Sequence, residues 1–158
     1  MSIWWSLHLR REAASVPLAR RLLLGAMETA GVDPDISFDL SLALSEACAN
    51  AVEHGGRAGA DGPDGRSAEC GAYRVTAYLD GDRCRIEVTD SGPGFPPHAV
   101  GPCRPAWPGP VFRESGRGLC LIEELADHVR FRNRPGRGAV VSFDKMLKFR
   151  DGALLHLS

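Results

Sequence analysis

Three short stretches of the chain place residues that can handle protons, metal ions and phosphate groups at regular spacings. The first is SEACANAVEHG, in which Glu46, Asn50 and His54 follow one another at intervals of four residues. A helix places residues with this spacing along one edge. A carboxylate there can accept a proton or orient a hydroxyl group, and an amide oxygen can ligate Mg²⁺. Taken alone, the segment is more typical of a solvated helix edge that ends in a histidine.

The second stretch is VTDSGPGFPP, which contains Asp90, Gly92 and Gly94. An acid at the end of a strand can accept a hydrogen bond from an exocyclic amino group. Two glycines at this spacing let the backbone approach a flat ring closely. By itself, this stretch is more typical of a turn at the end of a hairpin.

The third stretch is ESGRGLCLI, in which Gly116, Arg117 and Gly118 precede a predicted helix. The free N–H groups at a helix start favour phosphate, and Arg117 adds positive charge there. The stretch lacks the third glycine of a dinucleotide-binding fingerprint and the G-K-[ST] of a P-loop. A chain that merely contained loops would rarely supply all three stretches in this order, so together they indicate a nucleotide site.

Hydrophobic periodicity predicts the helices that carry two of these stretches. The first helix is predicted from Ser15 as N-cap, with Pro17 in its first turn, to Gly31, and its apolar stripe is Leu18, Leu22, Leu23 and Ala26. The second begins at Asp33-Pro34 and ends at Gly55-Gly56, with a stripe of Ile36, Leu40, Ala43, Leu44, Ala47 and Ala51. A short third helix is predicted over residues 118–126.

Alternating apolar residues predict five strands. They are residues 3–9, a hairpin of 73–79 with 84–89, and a hairpin of 128–132 with 138–143. Residues 57–72 are rich in glycine and polar residues and are predicted to be a flexible insertion. The predicted fold class is an α/β two-layer sandwich, with a mixed or antiparallel sheet covered by helices on one face. We expect residues 1–158 to form a single domain.

Composition excludes several classes of partner. The formal net charge is -1, which predicts neither direct nucleic-acid binding nor attraction to an anionic membrane. Apolar runs are too short for a membrane span. The five cysteines never form C-x-x-C, which argues against a disulfide framework or a zinc site and favours a reducing, cytoplasmic location.

The three stretches resemble the N, G1 and G2 boxes of the GHKL (Bergerat-fold) ATPases. The matching residues are Glu46-x-x-x-Asn50-Ala51, Asp90-x-Gly92-x-Gly94 and Gly116-x-Gly118-Leu119. The wider match resembles one branch, the bacterial anti-sigma-factor serine/threonine kinases or switch kinases. It comprises Ser45-Glu46-Ala47, His54-Gly55, Gly116-Arg117-Gly118-Leu119, Leu121-Ile122 and Ala126-Asp127. The resemblance extends over about residues 11–143.

This resemblance implies a role for each motif residue in binding ATP and Mg²⁺. Asp90 would bind the adenine amino group, Gly92 and Gly94 would shape that pocket, and Asn50 would hold Mg²⁺. Gly116 and Gly118, followed by Leu119, would present N–H groups to the phosphates. Arg117 is the first choice, ahead of Arg104 and Arg113, for contacting the γ-phosphate. Residues 93–115 would form the ATP lid, and Glu46 would be the general base.

The resemblance also implies partners. The phosphate acceptor would be a serine of a small STAS-domain anti-anti-sigma protein, and the unmodified partner would displace a sigma factor. Dimers are common in this family, so a homodimer is among the implied assemblies. Two functional classes stay open: a kinase, and a nucleotide-gated module that binds a sigma factor or other partner without phosphotransfer. The presence of Glu46 favours the kinase, and the three ordered stretches disfavour a domain that binds no nucleotide.

Overall fold

The described part of the chain forms five strands and three helices. The structure, a computed structural model, describes residues 2–54, 72–90, 119–134 and 138–150. In chain order the elements are β1 (Ser2–Arg10), α1 (Ser15–Ala30), α2 (Pro34–His54), β2 (Ala72–Asp80), β3 (Arg83–Asp90), α3 (residues 119–125), β4 (His128–Arg134) and β5 (Gly138–Met146).

The strands form one antiparallel sheet in the order β1-β2-β3-β5-β4. The β2–β3 hairpin closes tightly, because Asp80 pairs with Arg83 and Gly81 adopts a φ of 60° in the turn. Glycine suits this left-handed conformation, since it has no Cβ to clash with the backbone. The predicted α/β sandwich is confirmed, and its sheet is antiparallel within the described residues.

The two faces of the sheet differ in burial. Along β2, exposed and buried residues alternate, as expected for a strand with one face on a core. The buried face packs against the helices, and the core takes residues from all three of them, such as Leu23, Leu44 and Ile122. We call the opposite side the open face. It carries Trp4, which is 62% exposed, beside Tyr78.

The start and the buried stripe of α1 differ from the prediction. Ser15 is the first residue of the helix rather than its N-cap, which is Ala14 without a side-chain cap. Leu18 and Leu22 are exposed, and the buried stripe is instead Ser15, Ala19, Leu23, Met27 and Ala30. The Ser15 hydroxyl is used elsewhere, because it donates to the Glu12 carbonyl at 2.6 Å. Gly31 does end the helix, with a φ of 82°.

The prediction for α2 is confirmed. The helix begins at Pro34, and the Asp35 N–H donates to Asp33 Oδ1 at 2.8 Å. Of the predicted stripe, Ile36 is partly buried and the others are buried. The stripe also includes Cys48, which is fully buried. These buried residues hold one face of α2 in the core.

Other boundaries shift by a few residues. Because β2 begins at Ala72, the predicted insertion ends at residue 71, and the rest of it lies outside the described residues. Both hairpins extend beyond their predicted ends. Cys120 is disulfide-bonded, which the sequence analysis did not predict. Among the described residues, Cys48 and Cys84 are the free cysteines. None of the described helices combines the length and apolar character needed to cross a membrane.

Candidate functional site

Glu46 and Asn50 lie one turn apart on α2, at the border of its buried stripe. Both side chains are half-buried, whereas the adjacent Ala47 and Ala51 are buried. Neither side chain forms a hydrogen bond or ion pair with any other residue that the structure describes. A half-buried carboxylate and amide without protein partners retain their capacity to bind a ligand. The structure therefore places the predicted base and the predicted Mg²⁺ ligand on the same edge of one helix.

Asp90 is the last residue of β3 and is held by the neighbouring strand. Its Oδ1 accepts a hydrogen bond of 3.2 Å from the Ala139 N–H at the start of β5. A carboxylate has about four acceptor sites, and this bond uses one of them and orients the group. The sequence motif identifies Asp90 but not Ala139, because a backbone N–H is common to every residue except proline.

A buried tyrosine connects the start of α1 to the strand beside Asp90. Tyr73 pairs directly with Asp90 in the β2–β3 register. Its hydroxyl forms a hydrogen bond of 2.6 Å with the Ser15 hydroxyl. Burial raises the pKa of the Cys48 thiol from 9.0 to about 12, and burial also raises the pKa of Tyr73. The bond between Tyr73 and Ser15 joins the start of α1 to the end of the sheet that carries Asp90.

The position of α3 is fixed at both of its described ends. Leu119, the predicted G2-box residue, is 6% exposed, and Ile122 is fully buried. At the other end, Lys145 Nζ donates to the Leu125 carbonyl at 2.8 Å, and Asp127 Oδ2 accepts from the Met146 N–H at 2.6 Å. These bonds join the end of α3 to β5. The helix start that follows the third motif is thereby held against the core.

Several predicted site residues lie outside the described residues. They are Gly92, Gly94, Gly116, Arg117 and Gly118, together with the predicted lid at residues 93–115, and their roles stay predictions. His54 is the last residue of α2.

An open cleft of about 410 Å³ lies between α1 and α2, next to the residue that precedes Glu46. Its lining is mostly apolar with two arginines: Val16, Pro17, Arg20, Arg21, Leu24 and Ser45. Leu18 and Leu22, which are exposed on α1, extend the apolar surface of the same helix. Large exposed apolar side chains beside a cleft are typical of surfaces that contact another protein.

The chain is similar in sequence to known proteins. Residues 9–145 match the histidine kinase-like ATPase domain family. The serine-protein kinase RsbW of Bacillus licheniformis is 35% identical over 136 residues, which cover 84% of this chain and 78% of that protein. The serine-protein kinase RsbW of Staphylococcus epidermidis is 31% identical over 146 residues, which cover 90% of this chain and 86% of that protein.

A solved structure has the same fold. The crystal structure of the RsbU and RsbW domains of a Mycobacterium tuberculosis protein superimposes with a TM-score of 0.61 at 22% identity. The match covers 90% of this chain and 32% of that longer chain.

Proposed function

Because the chain belongs to the histidine kinase-like ATPase domain family, in the branch of the anti-sigma-factor serine-protein kinases, we propose that it phosphorylates a partner protein. The proposed reaction transfers the γ-phosphate of ATP to a serine of a STAS-domain anti-anti-sigma protein. The observation that carries this proposal is the pair Glu46 and Asn50, which is half-buried and without partners among the described residues.

ATP would lie between α2 and the end of β3. Asp90, oriented by the Ala139 N–H, would accept a hydrogen bond from the adenine amino group. Gly92 and Gly94 would allow the backbone to approach the ring. Adenine offers an amino group where guanine has a carbonyl oxygen, so an acidic residue here selects adenine.

The phosphates would lie between Asn50 and the start of α3. Gly116 and Gly118 would donate backbone N–H groups to them, and Arg117 would add positive charge. The Asn50 side chain fits a Mg²⁺ site, because Mg²⁺ takes few protein oxygen ligands and completes its shell with phosphate oxygens and water. When bound, Mg²⁺ would offset the negative charge of the phosphates.

Glu46 would act as the general base. Its carboxylate would take the proton from the Oγ of the incoming serine, and that Oγ would form a bond with the γ-phosphorus. The bond between the γ-phosphorus and the bridging oxygen to the β-phosphate would break, releasing ADP. Since Glu46 is one turn before Asn50, both side chains face the same end of the nucleotide. The cleft beside Ser45 would give a protein partner access to this point.

The regulatory part of the proposal concerns the partners. We propose that the protein binds a sigma factor, that the unmodified STAS protein displaces it, and that phosphorylation ends this competition. A cytoplasmic location and homodimer formation belong to the same proposal. Light scattering with and without ATP would test the dimer directly.

The deciding experiment is incubation of the protein with γ-labelled ATP, Mg²⁺ and a candidate STAS protein from the same genome. Transfer of label to a serine of the STAS protein supports the kinase. The STAS protein with that serine changed to alanine is the matched control. If ATP binds but label reaches no STAS partner from that genome, the chain is instead a nucleotide-gated binding module.

A further inference from the structure

Four arginines lie at one end of the open face of the sheet. We call this group the arginine end, and its members are Arg10, Arg74, Arg130 and Arg132. All four side chains are exposed, and none of them forms an ion pair or a side-chain hydrogen bond with another residue that the structure describes. Arginine stays protonated in proteins. The arginine end therefore carries positive charge that the described part of the chain does not neutralise.

Elsewhere on the open face, acidic side chains have basic partners. Glu87 forms an ion pair with Arg85, and Asp144 Oδ1 is 2.9 Å from His128 Nδ1. The face is thus balanced in charge around Glu87 and Asp144 and unbalanced at the arginine end. Because like charges repel one another, gathering them costs stability. Such an arrangement is typical of a surface that meets a partner of opposite charge.

The arginines form two groups on opposite sides of the sheet. Arg74 on β2 and Arg132 on β4 lie in one row of directly paired residues, three strand spacings or about 14 Å apart. The two positions between them are Thr89, which is partly buried, and Val140, which is buried, and neither is charged. An α-helix with its side chains is about 10–12 Å across. One helix that lies along the strands can therefore contact both groups at once.

An apolar anchor lies at the other end of the same face. Trp4 is 62% exposed, and its ring is 6.3 Å from that of Tyr78. The Arg85 guanidinium lies over the Tyr78 ring, 5.6 Å from its centroid, so Tyr78 is partly covered and Trp4 is the more available ring. Along β1, Trp4 and Arg10 are six residues apart, which spans about 20 Å. A helix of about 13 residues has this length.

We propose that the open face binds an acidic helical segment of a partner protein. The carboxylates of that segment contact the arginine end, and an apolar side chain of the segment contacts Trp4. Arginine suits this partner, because its planar guanidinium can donate two parallel hydrogen bonds to one carboxylate. Tryptophan and arginine are also the residue types that most often dominate binding at protein interfaces.

Single-stranded nucleic acid matches this surface less well. Sites for it interleave aromatic rings with basic side chains. Within the described residues of the open face, no tryptophan, tyrosine or phenylalanine lies among the arginines of the arginine end. The helices that would hold ATP cover the opposite face of the sheet, so this second surface does not depend on the proposed nucleotide site.

The experiment measures the fluorescence anisotropy of a labelled peptide of about 12 residues, long enough to span the face as a helix. The peptide consists of Glu-Glu-Leu repeats, and the matched peptide has glutamine in place of every glutamate. We expect the full-length protein to bind the acidic peptide saturably and at least about 10-fold more tightly than the glutamine peptide. Binding should weaken as NaCl rises from about 50 to about 500 mM, because salt screens exposed charges.

Three single variants and a matched control locate the bound peptide. Arg74→Glu and Arg132→Glu each reverse one charge in a different group and should lower the affinity for the acidic peptide by about 5- to 10-fold. Trp4→Ala removes the anchor and should lower it by about 5-fold. The control is Lys148→Glu, which changes the net charge equally beside the α1–α2 turn, where the Lys148 carbonyl accepts from the Asp33 N–H. Its affinity should change by less than about 2-fold.

The contrary outcomes are distinct from failure of the kinase, because the peptide is measured without nucleotide. The proposal is overturned by equal affinity for the two peptides, by no saturable binding of the acidic one, or by equal losses in Lys148→Glu and Arg132→Glu. Tighter binding of a single-stranded oligonucleotide of about 12 nucleotides, lost in Arg132→Glu, would identify a nucleic-acid site instead. A dimer in light scattering that both Trp4→Ala and Arg132→Glu dissociate would show that a second copy of the chain occupies the face.

Discussion

At the scale of residues, the candidate site combines side chains with very different surroundings. Asp90 is oriented by a backbone N–H, whereas Glu46 and Asn50 have no partners among the described residues. A base and a metal ligand must be available to groups that arrive with the substrate, and an adenine acceptor must have a fixed direction. The observed surroundings agree with these different requirements.

Glu46→Gln tests the proposed base. The change preserves the shape of the side chain and removes the proton acceptor, so phosphorylation of the partner should fall by roughly 10²- to 10⁴-fold. ATP affinity should change little, because the base need not hold the nucleotide. Asn50→Ala should weaken both Mg²⁺-dependent binding and transfer. Radiolabel transfer and nucleotide affinity are measured on the same three proteins. A wild-type transfer rate in Glu46→Gln would show that another group is the base.

Asp90→Asn tests the proposed adenine contact. The amide oxygen can still accept from the Ala139 N–H, but an NH₂ group would replace the other carboxylate oxygen and would face the adenine amino group of the proposed site. ATP affinity should fall by about 1–3 kcal/mol. Asp144→Asn, on the open face beside His128, is the control and should bind ATP normally. Calorimetry that finds equal affinity of the wild-type protein for ATP and GTP would contradict the assignment.

The predictability of these residues follows from how each one acts. Glu46, Asn50 and Asp90 could be singled out from the sequence, because their proposed roles demand particular side chains at particular spacings. Ala139 acts through its backbone, so its side chain carries no signal. Tyr73 has the sequence pattern of an ordinary strand residue, because its partner Ser15 is brought to it only by the tertiary fold.

At the scale of elements, α1 shows the limit of periodicity. Its sequence has leucines at 18, 22, 23 and 24, so more than one apolar stripe can be drawn through it. The stripe that faces the core contains Leu23, together with Ala19 and Met27, whereas Leu18 and Leu22 face outward. Helix–helix packing with α2 selects the stripe, and the small Ala19 permits close approach. The spacing of α2 left no such choice, so its buried side was predictable.

Two glycines allow a matched test of element stability. Gly81 has a φ of 60° in the β2–β3 turn, Gly25 lies within α1, and an added Cβ would have no atom within 4 Å at either position. Gly81→Ala should destabilise the protein by about 1–2 kcal/mol through backbone strain. Gly25→Ala should stabilise it by about 0.5–1 kcal/mol through helix propensity. Urea unfolding of both variants measures the difference, and shifts in the same direction would contradict the backbone explanation.

At the scale of the whole molecule, one layer of helices covers one face of an antiparallel sheet. This architecture was predictable, because the alternation in the strands and the stripe of α2 each require a buried side. The strand order was not predictable from the sequence, because β5 lies between β3 and β4 and pairs with both. Pairing between strands that are distant in the sequence depends on which surfaces meet in the folded chain, and no local pattern records it.

The raised pKa values of two buried thiols predict how the stability of the whole protein depends on pH. Burial raises the pKa of Cys48 and of Cys84 from 9.0 to about 12. Between these values the unfolded chain loses thiol protons that the folded protein keeps, so the free energy of unfolding decreases as pH rises. Each thiol contributes a slope that approaches about 1.4 kcal/mol per pH unit. The stabilisation that the two protonated thiols contribute to the folded protein is fully present below pH 9.

Urea unfolding at half-unit steps from pH 8 to pH 10.5 measures this slope. The wild-type protein should lose stability progressively above pH 9. Cys48→Ala should be less stable at pH 8 because it leaves a cavity, yet it should lose stability more gradually above pH 9. Equal slopes for the two proteins would show that the Cys48 thiol does not contribute to the pH dependence.

The pairing of β1 with β2 has a consequence for the rate of folding. Ser6 and Thr76 share a hydrogen bond of 3.2 Å although they are 70 residues apart in the sequence. Each of the two hairpins joins strands that are close in the sequence. In contrast, β1 pairs with a strand from which it is separated by α1, α2 and residues 55–71. The entropy of closing such a loop grows only with the logarithm of its length, about 0.6 kcal/mol per doubling. Insertions or deletions between α2 and β2 are therefore tolerated at equilibrium. Their effect appears in kinetics, because the mean sequence separation of contacts governs how quickly a domain folds.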